Sequence, residues 1–541
     1  MPHLGRSHVQ PEHTRRPGRR GHRRRLSRHP ARAPRRRQGA RRAPVAHCRP
    51  GGARAPDQRR RRRLPPRAAR GGQAVTDLAA LSARALAQAI RDKKVSSLEA
   101  TQATVARLRD CHELTNCLIA LEEEEALAAA RAADAAVAKG SAKGPLAGVP
   151  LAHKDMFDRK GKIASWGARI RAGAPAAEDA AAIARFKSAG ALQVATLHLA
   201  EFAYGPTGHN YVLGHARNPW DPTRITGGSS AGTAAAVAYG AIPAGLGSDT
   251  GGSLRLPAAC CGVVSIKPTW GRISRAGAMP LAPALDTVGM IARHVEDLAL
   301  TLSVLAGPDP RDPAASTLPV PDYLARLSDP VRGLRVGLDE AVLTEASQPV
   351  QKMVETVLGV LAKLGLERAS CRFPDWQTLD HLVQLVQLPD ASAAHTAYLR
   401  ARPGDYSPQV RARVEVGHFV PAVDHLTALR ARGTYVKRTL DETFKGIDVA
   451  ILPILADPLP TIAELDVAAS PNLQAAMGRT VKYTRPINYL GLPTLALPIP
   501  RNGGLPNGIQ LVGRPFAEAQ LLAIGQAYQR EVPPEIARPL R

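Results

Sequence analysis

Apolar residues recur along this chain with two different periods. In "TDLAALSARALAQAIRDKKV", residues 76–95, they return every three to four positions, which predicts an amphipathic helix. Ser96 followed by Glu99 forms a capping box, so "LEATQATVARLRD" is predicted to continue as a second helix. "EEEEALAAARAADAAVAKG" reads as a third, acidic at its start and closed by Gly140, as the helix dipole favours. Short apolar runs then alternate with Ala-rich helices. "AGVPLAHKD" and "ALQVATLH" read as strands, with "EDAAAIARFKSAG" a helix between them; "CGVVSIKP", "DVAILPI", "TLALPI" and "NGIQLVG" are further buried strands. Residues 233–247 are apolar but rich in Ala and Gly, and read as a packed helix and turn. "AGPDPRDPAAS" is a Pro-rich loop. Strands separated by helices indicate an α/β protein on a largely buried sheet.

Composition divides the chain in two. The formal charge of +27 is concentrated in residues 1–75, which hold 24 arginines, no lysine and two acids, a balance of +22. This segment has no Ile, Phe, Tyr or Trp, so it cannot bury enough apolar surface to offset its chain entropy. It reads as an Arg-rich disordered tail, or as sequence upstream of the true start; an Arg-rich arm for nucleic acid and a transit peptide are its functional readings. Residues 76–541 are near neutral and form the folded domain, so nucleic acid is not expected as a partner of that domain. Six cysteines without a C-x-x-C pair, and no H-E-x-x-H, argue against a zinc site and suit a reduced, cytoplasmic setting. No run of 18 or more strongly apolar residues is present, so no membrane span is expected.

Candidate chemistry centres on "GSDTGGSLRLP", residues 247–257. Asp249-Thr250-Gly251 is the triplet of aspartic proteases, but those need two such carboxylates and one is present. No G-x-x-x-x-G-K-[ST] phosphate loop occurs. A nucleophilic Ser253 is the third option, and a plain tight turn is the fourth. Upstream, "ITGGSSAGTAAAVAYG" carries a second Gly-Gly-Ser, and Gly228 to Gly232 also fits the loose G-x-S-x-G elbow with Ser230 as nucleophile. That elbow needs a preceding strand, whereas "RNPWDPTRITGG" reads as loop. Lys154, ending the strand in "GVPLAHKDMFD", is a candidate base: an ammonium buried among apolar groups loses its proton more readily and can accept one at neutral pH.

Three segments in this order, "GVPLAHKD", "GGSSAGTAAAVA" and "GLGSDTGGSLRLPAACCGVVSIKPT", resemble the amidase signature family of serine hydrolases. The resemblance runs from about Thr76 to Tyr528 and includes "GHARNPWDP" and "GLPTLALPI…GLPNGIQLVGRPF". It implies a central mixed, twisted sheet covered by helices on both faces. It also implies a Ser–cis-Ser–Lys triad: Ser253 as nucleophile, Ser229 as bridging serine with the cis peptide, Lys154 as base. The backbone N–H groups of Thr250, Gly251, Gly252 and Ser253 are the implied oxyanion hole. Ala231 departs from the usual G-G-S-S-G-G. Asp249 and Arg255 read as braces of the turn, and His153 as support for the pocket.

The implied activity is cleavage of carboxylic amides through an acyl-enzyme, without metal or cofactor. The expected partner is a small-molecule amide, with a homodimer compatible. The family also contains the glutaminase component of tRNA-dependent amidotransferases, which is the alternative function. That component binds the α-amino group of glutamine with a late Asp, whereas "VKYTRPINYLGLP" places Arg485 near that position. Phe157, Trp166 and Tyr204 are candidate pocket aromatics. Residues 317–477 carry no readable motif.

Overall fold

A computed structural model describes residues 78–170, 174–467 and 473–537. The expectations for residues 1–75 lie outside these. Eleven strands follow in chain order: β1 Leu118–Leu121, β2 Pro150–Lys154, β3 Leu192–Leu197, β4 Ala244–Asp249, β5 Val264–Lys267, β6 Thr287–Ala292, β7 Arg335–Leu338, β8 Glu367–Ser370, β9 Val449–Pro453, β10 Thr494–Pro498 and β11 Gly508–Val512. They form one sheet in the order β1-β3-β2-β4-β6-β5-β10-β11-β9-β7-β8. It is mixed: β3-β2-β4 and β9-β7-β8 are parallel, and the strands between pair antiparallel.

Alternate residues of the central strands enter different parts of the core, as the period of two requires. Leu495 and Leu497 of β10 join one cluster with Ile90, Leu298 and Leu522, while Ala496 between them joins another with Ala234, Ala235 and Cys260. In β9, Val449 and Ile451 face the first cluster, and Ala450 and Leu452 face a third with Leu379 and Val383. Helices therefore cover both faces, and central strands such as β2, β4, β6 and β9 are buried along their whole length.

The helix predicted over residues 76–95 is narrower: Ser82 caps it at Ala83 and it ends at Arg91. The capping box forms at Ser96 and Glu99, starting the helix Ser97–Thr115. Residues 244–247, the end of the stretch 233–247 read as a packed helix and turn, instead belong to strand β4. Its glycines allow close approach: a Cβ on Gly245 would lie 2.6 Å from Thr233 Cγ2, and one on Gly247 2.8 Å from Leu254 Cδ2. Four of the six cysteines, Cys111, Cys117, Cys260 and Cys261, are buried free thiols. Among the described residues no helix is long and apolar enough to cross a membrane.

Candidate active site

Strands β2 and β4 lie parallel, with His153 opposite Leu246, so Lys154 and the Ser248-Asp249 step emerge at the same carboxyl edge of the sheet. Ligands of α/β sheets collect at such edges. The helix Ala231–Ala238 sits wholly buried beside them. Its Gly232 is required by contact: a Cβ there would meet Cys117 O at 2.3 Å. This close docking brings the segment 227–230, just before the helix, over the ends of β2 and β4.

Lys154 is fully buried and its Nζ donates to Ser229 Oγ at 2.7 Å and to Ser248 Oγ at 3.0 Å. The Gly228–Ser229 peptide is cis. Burial lowers the Lys154 pKa from 10.5 to about 7, opposed by the charges of Asp249 and Asp286. Ser253 lies at the wall of a cavity of about 770 Å³. Its carbonyl accepts from Ser230 N at 3.3 Å. Among the described residues its hydroxyl makes no hydrogen bond to Ser229. Ser230, the elbow alternative, is fully buried with its Oγ directed to Ser248 O at 3.4 Å.

The turn carrying Ser253 hangs on Asp249, which is fully buried. Its carboxylate accepts from Gly252 N (2.8 Å), Leu254 N (3.1 Å), Arg255 Nε (3.1 Å) and Nη2 (2.9 Å), and Asn488 Nδ2 (2.8 Å). Burial alone would raise the Asp249 pKa; the charge and hydrogen bonds of Arg255, with Lys267 and Asn488, hold it well below the usual carboxylate range. Arg255 continues the network, donating to Gln510 Oε1 at 2.7 Å. On the other side, Thr250 Oγ1 donates to Asp286 Oδ1 at 2.5 Å, and Thr484 Oγ1 to Gly251 O at 2.6 Å.

This geometry corrects one expected donor. The Gly252 N–H is bound by Asp249 and so does not face the cavity as a free donor. The N–H groups of Thr250, Gly251 and Ser253 make no hydrogen bond among the described residues. Gly252 has φ +128°, and a Cβ there would come within 2.5 Å of Thr484 Oγ1, so glycine serves the backbone path here.

Of the three expected pocket aromatics, Tyr204 lines the cavity with Ser253. Phe157 does not: it is a core residue, 2% exposed, edge-on to His153. Trp166 packs edge-on against Phe202 and Tyr398, also away from the cavity lining. His153 is buried with Nδ1 paired to Gln193 Oε1 at 3.0 Å; burial, with the charge of Arg159, lowers its pKa to about 3, so it is neutral. The segment 317–477 supplies cavity residues without any sequence signal, among them Asp380 and Arg413.

A family model described as Amidase matches residues 99–522, and the chain belongs to that family, the amidase signature enzymes. The chain is 36% identical to the A subunit of the glutamyl-tRNA(Gln) amidotransferase of Chloroflexus aurantiacus, over 84% of this chain and 97% of that one. Among solved structures it is similar to one from a vestigial protein complex bearing on the origins of an s-triazine catabolic enzyme (TM-score 0.78, 32% identity, 85% of this chain and all of that one). It is also similar to the A subunit of the Thermotoga maritima glutamyl-tRNA(Gln) amidotransferase (TM-score 0.68, 27% identity, 85% and 97%).

These relatives overturn the expected partner set. A small amide as sole partner, with no nucleic acid and at most a second copy of the chain, does not describe proteins named as one subunit of a glutamyl-tRNA(Gln) amidotransferase. Motifs mark out candidate reacting groups, and assembly partners leave no motif there.

Proposed function

We propose that this member of the amidase family cleaves a carboxamide C–N bond through an acyl-enzyme on Ser253, and that it works as the ammonia-supplying A-type subunit of an amidotransferase. The observation that carries the chemistry is the buried Lys154 Nζ–Ser229 Oγ contact of 2.7 Å, one step behind a serine on the cavity wall. The assembly reading is supported by relatives named as the A subunit of an amidotransferase, which match over 97% of their length.

In this reading neutral Lys154 accepts the proton of Ser229, and Ser229 that of Ser253, as substrate closes the second link. Ser253 Oγ then bonds to the carbonyl carbon, and the carbonyl π pair moves onto oxygen. The N–H groups of Thr250, Gly251 and Ser253 receive that oxyanion; one such donor is typically worth about 10²–10³ in rate. Collapse breaks the C–N bond, and the departing nitrogen takes a proton back through the same relay. Water hydrolyses the resulting ester, regenerating Ser253.

The test is labelling of the full chain with a fluorophosphonate probe. Wild type labels and Ser253→Ala does not. Labelling that persists in Ser253→Ala refutes the nucleophile. Ammonia release from glutamine that rises on adding cognate subunits supports the assembly; release at full rate by the chain alone counts against it.

A further inference from the structure

Another cavity, of about 440 Å³, lies between the β10–β11 loop, the helix Gln348–Lys363 and the segment around Pro458, away from Ser253. Small-molecule sites typically span about 300–1,000 Å³. The ionic side chains that line it are all basic: Arg224, Lys352 and Arg501. Among the described residues no carboxylate lines it. Arg501 is held in place: its Nη1 donates to Gly504 O at 2.8 Å, its Nη2 lies 3.2 Å from Glu535 Oε2, and its guanidinium carbon lies 3.6 Å from the centre of the Trp220 ring. Arg224 Nη1 donates to Leu459 O at 2.8 Å, and its Nε lies 3.6 Å from Asp221 Oδ2. Lys352 is exposed on its helix and has no ion-pair partner among the described residues. Each arginine thus has an acid behind it, and the lysine charge is left over.

Asn507 distinguishes this cavity from a merely basic groove. It is 3% exposed. Its Oδ1 accepts from Gly508 N at 2.7 Å, and its backbone carbonyl accepts from Ile499 N at 3.1 Å, so residues at both ends of the loop hold it. The amide is thereby fixed at the cavity wall with its Nδ2 buried and without an acceptor among the described residues. Arg224 Nε is likewise buried with no hydrogen-bond acceptor. Buried donors are costly to leave unpaired, so two orphans beside one cavity mark where an acceptor belongs. The donors come from three parts of the chain: Arg224 from the loop before Gly227, Lys352 from the helix, Asn507 from the β10–β11 loop. A carboxylate offers two oxygens in one plane, whereas a tetrahedral phosphate offers oxygens to donors approaching from three directions. Met353, Leu459 and Ile499 add an apolar wall beside these donors.

We propose that this cavity binds the phosphate group of a small phosphate ester. Lys352 and Arg224 supply the charge, Asn507 Nδ2 supplies a neutral donor, and the apolar wall takes the carbon part of the ligand. Arg224 precedes Ser229 by five residues, and Ile225 N donates to Pro460 O at 3.2 Å, so the site abuts the segment that leads to the Gly-Gly-Ser motif. The inference is independent of the reading of Ser253.

Binding is measured by isothermal titration calorimetry on the full chain, with glycerol 3-phosphate and inorganic phosphate as probes and acetate at matched ionic strength as the control. Both phosphates should bind, and acetate about tenfold more weakly or not at all. Lys352→Gln should raise the Kd for glycerol 3-phosphate about tenfold, as loss of a hydrogen bond from a charged donor does. Asn507→Asp keeps the acceptor for Gly508 N, puts a negative charge in place of the free donor, and should abolish binding. Lys363→Gln, exposed at the end of the same helix, should bind as wild type does. An unchanged melting temperature shows that a variant is folded; should Asn507→Asp fail this, the surface change Lys352→Gln carries the test. Absence of binding by both phosphates overturns the proposal, as does acetate binding as tightly as phosphate. Phosphate binding that Lys352→Gln leaves unchanged belongs to another part of the chain, such as the Arg-rich residues 1–75, and overturns it too. Binding of a short RNA duplex but of neither small phosphate assigns the charge to nucleic acid and equally overturns it.

Discussion

If Lys154 is the base, the reactivity of Ser253 follows the neutral amine. Burial takes Lys154 from 10.5 to about 7. At pH 7 that raises the neutral fraction from about 3 × 10⁻⁴ to about one half, a gain on the order of 10³. The fluorophosphonate probe does not titrate, so its second-order labelling rate reports this fraction. The rate should climb with pH, level off above about 7, and drop about 15-fold between pH 7 and pH 5.5. Asp249 and Asp286 both hold the proton on Lys154, so Asp286→Asn should move the limb to lower pH. The rival is Lys267, which burial, with the charge of Arg255, also brings to about 7. Lys267→Met should leave the limb in place, and Lys154→Met should remove it along with most of the rate. The same shift has a sign for stability. Between about 7 and 10.5 the unfolded chain holds the Lys154 proton and the folded chain does not, so this group favours folding more as pH rises through that window. A labelling rate flat from pH 5.5 to 8, or a limb that moves in Lys267→Met, refutes the assignment.

Gly252→Ala should cut the labelling rate by about 10² or more, because its φ of +128° and the 2.5 Å approach to Thr484 Oγ1 force the turn to move its donors; labelling near the wild-type rate would remove the turn from the reaction. Phe157→Ala should cost about 3–5 kcal/mol in denaturant unfolding, as loss of a buried ring does, while leaving the preference among amides unchanged; a changed preference would return Phe157 to the pocket.

The parts of the fold that were legible are those where local chemistry and tertiary role agree. Ser96 and Glu99 cap a helix by contacts within four residues, and "LQVAT" is apolar and partly β-branched where the sheet is buried. Strand β4 was illegible because its residues are chosen for close packing. Gly245 and Gly247 make room for Thr233, Ser230 and Leu254, and propensity alone reads such glycines as a turn. Strands β7 and β8 are four residues each, and β8 is largely exposed at the sheet edge, so neither has a period long enough to read.

The site divides along the same line. Ser229 and Ser253 stand out because each sits in a short segment of small residues that permits close approach, and Lys154 because it ends a strand-like apolar run. What holds them does not. Asn488 is 239 residues from Asp249, and Gln510 is 255 residues from Arg255, yet both complete the buried ion pair beneath the turn. A lone Asn or Gln carries no signal until the sheet order β5-β10-β11 brings it there. The same network takes up the Gly252 N–H. An ion pair so deeply buried needs the lone pairs of its carboxylate filled, and the backbone N–H groups of Gly252 and Leu254 help to fill them. The turn thus gives the Gly252 N–H to its own support, while those of Thr250, Gly251 and Ser253 make no hydrogen bond among the described residues. Arg413 lies in residues 317–477, where the sequence carries no readable motif, and it joins the cavity wall through its Nη1 bond to the Tyr204 carbonyl.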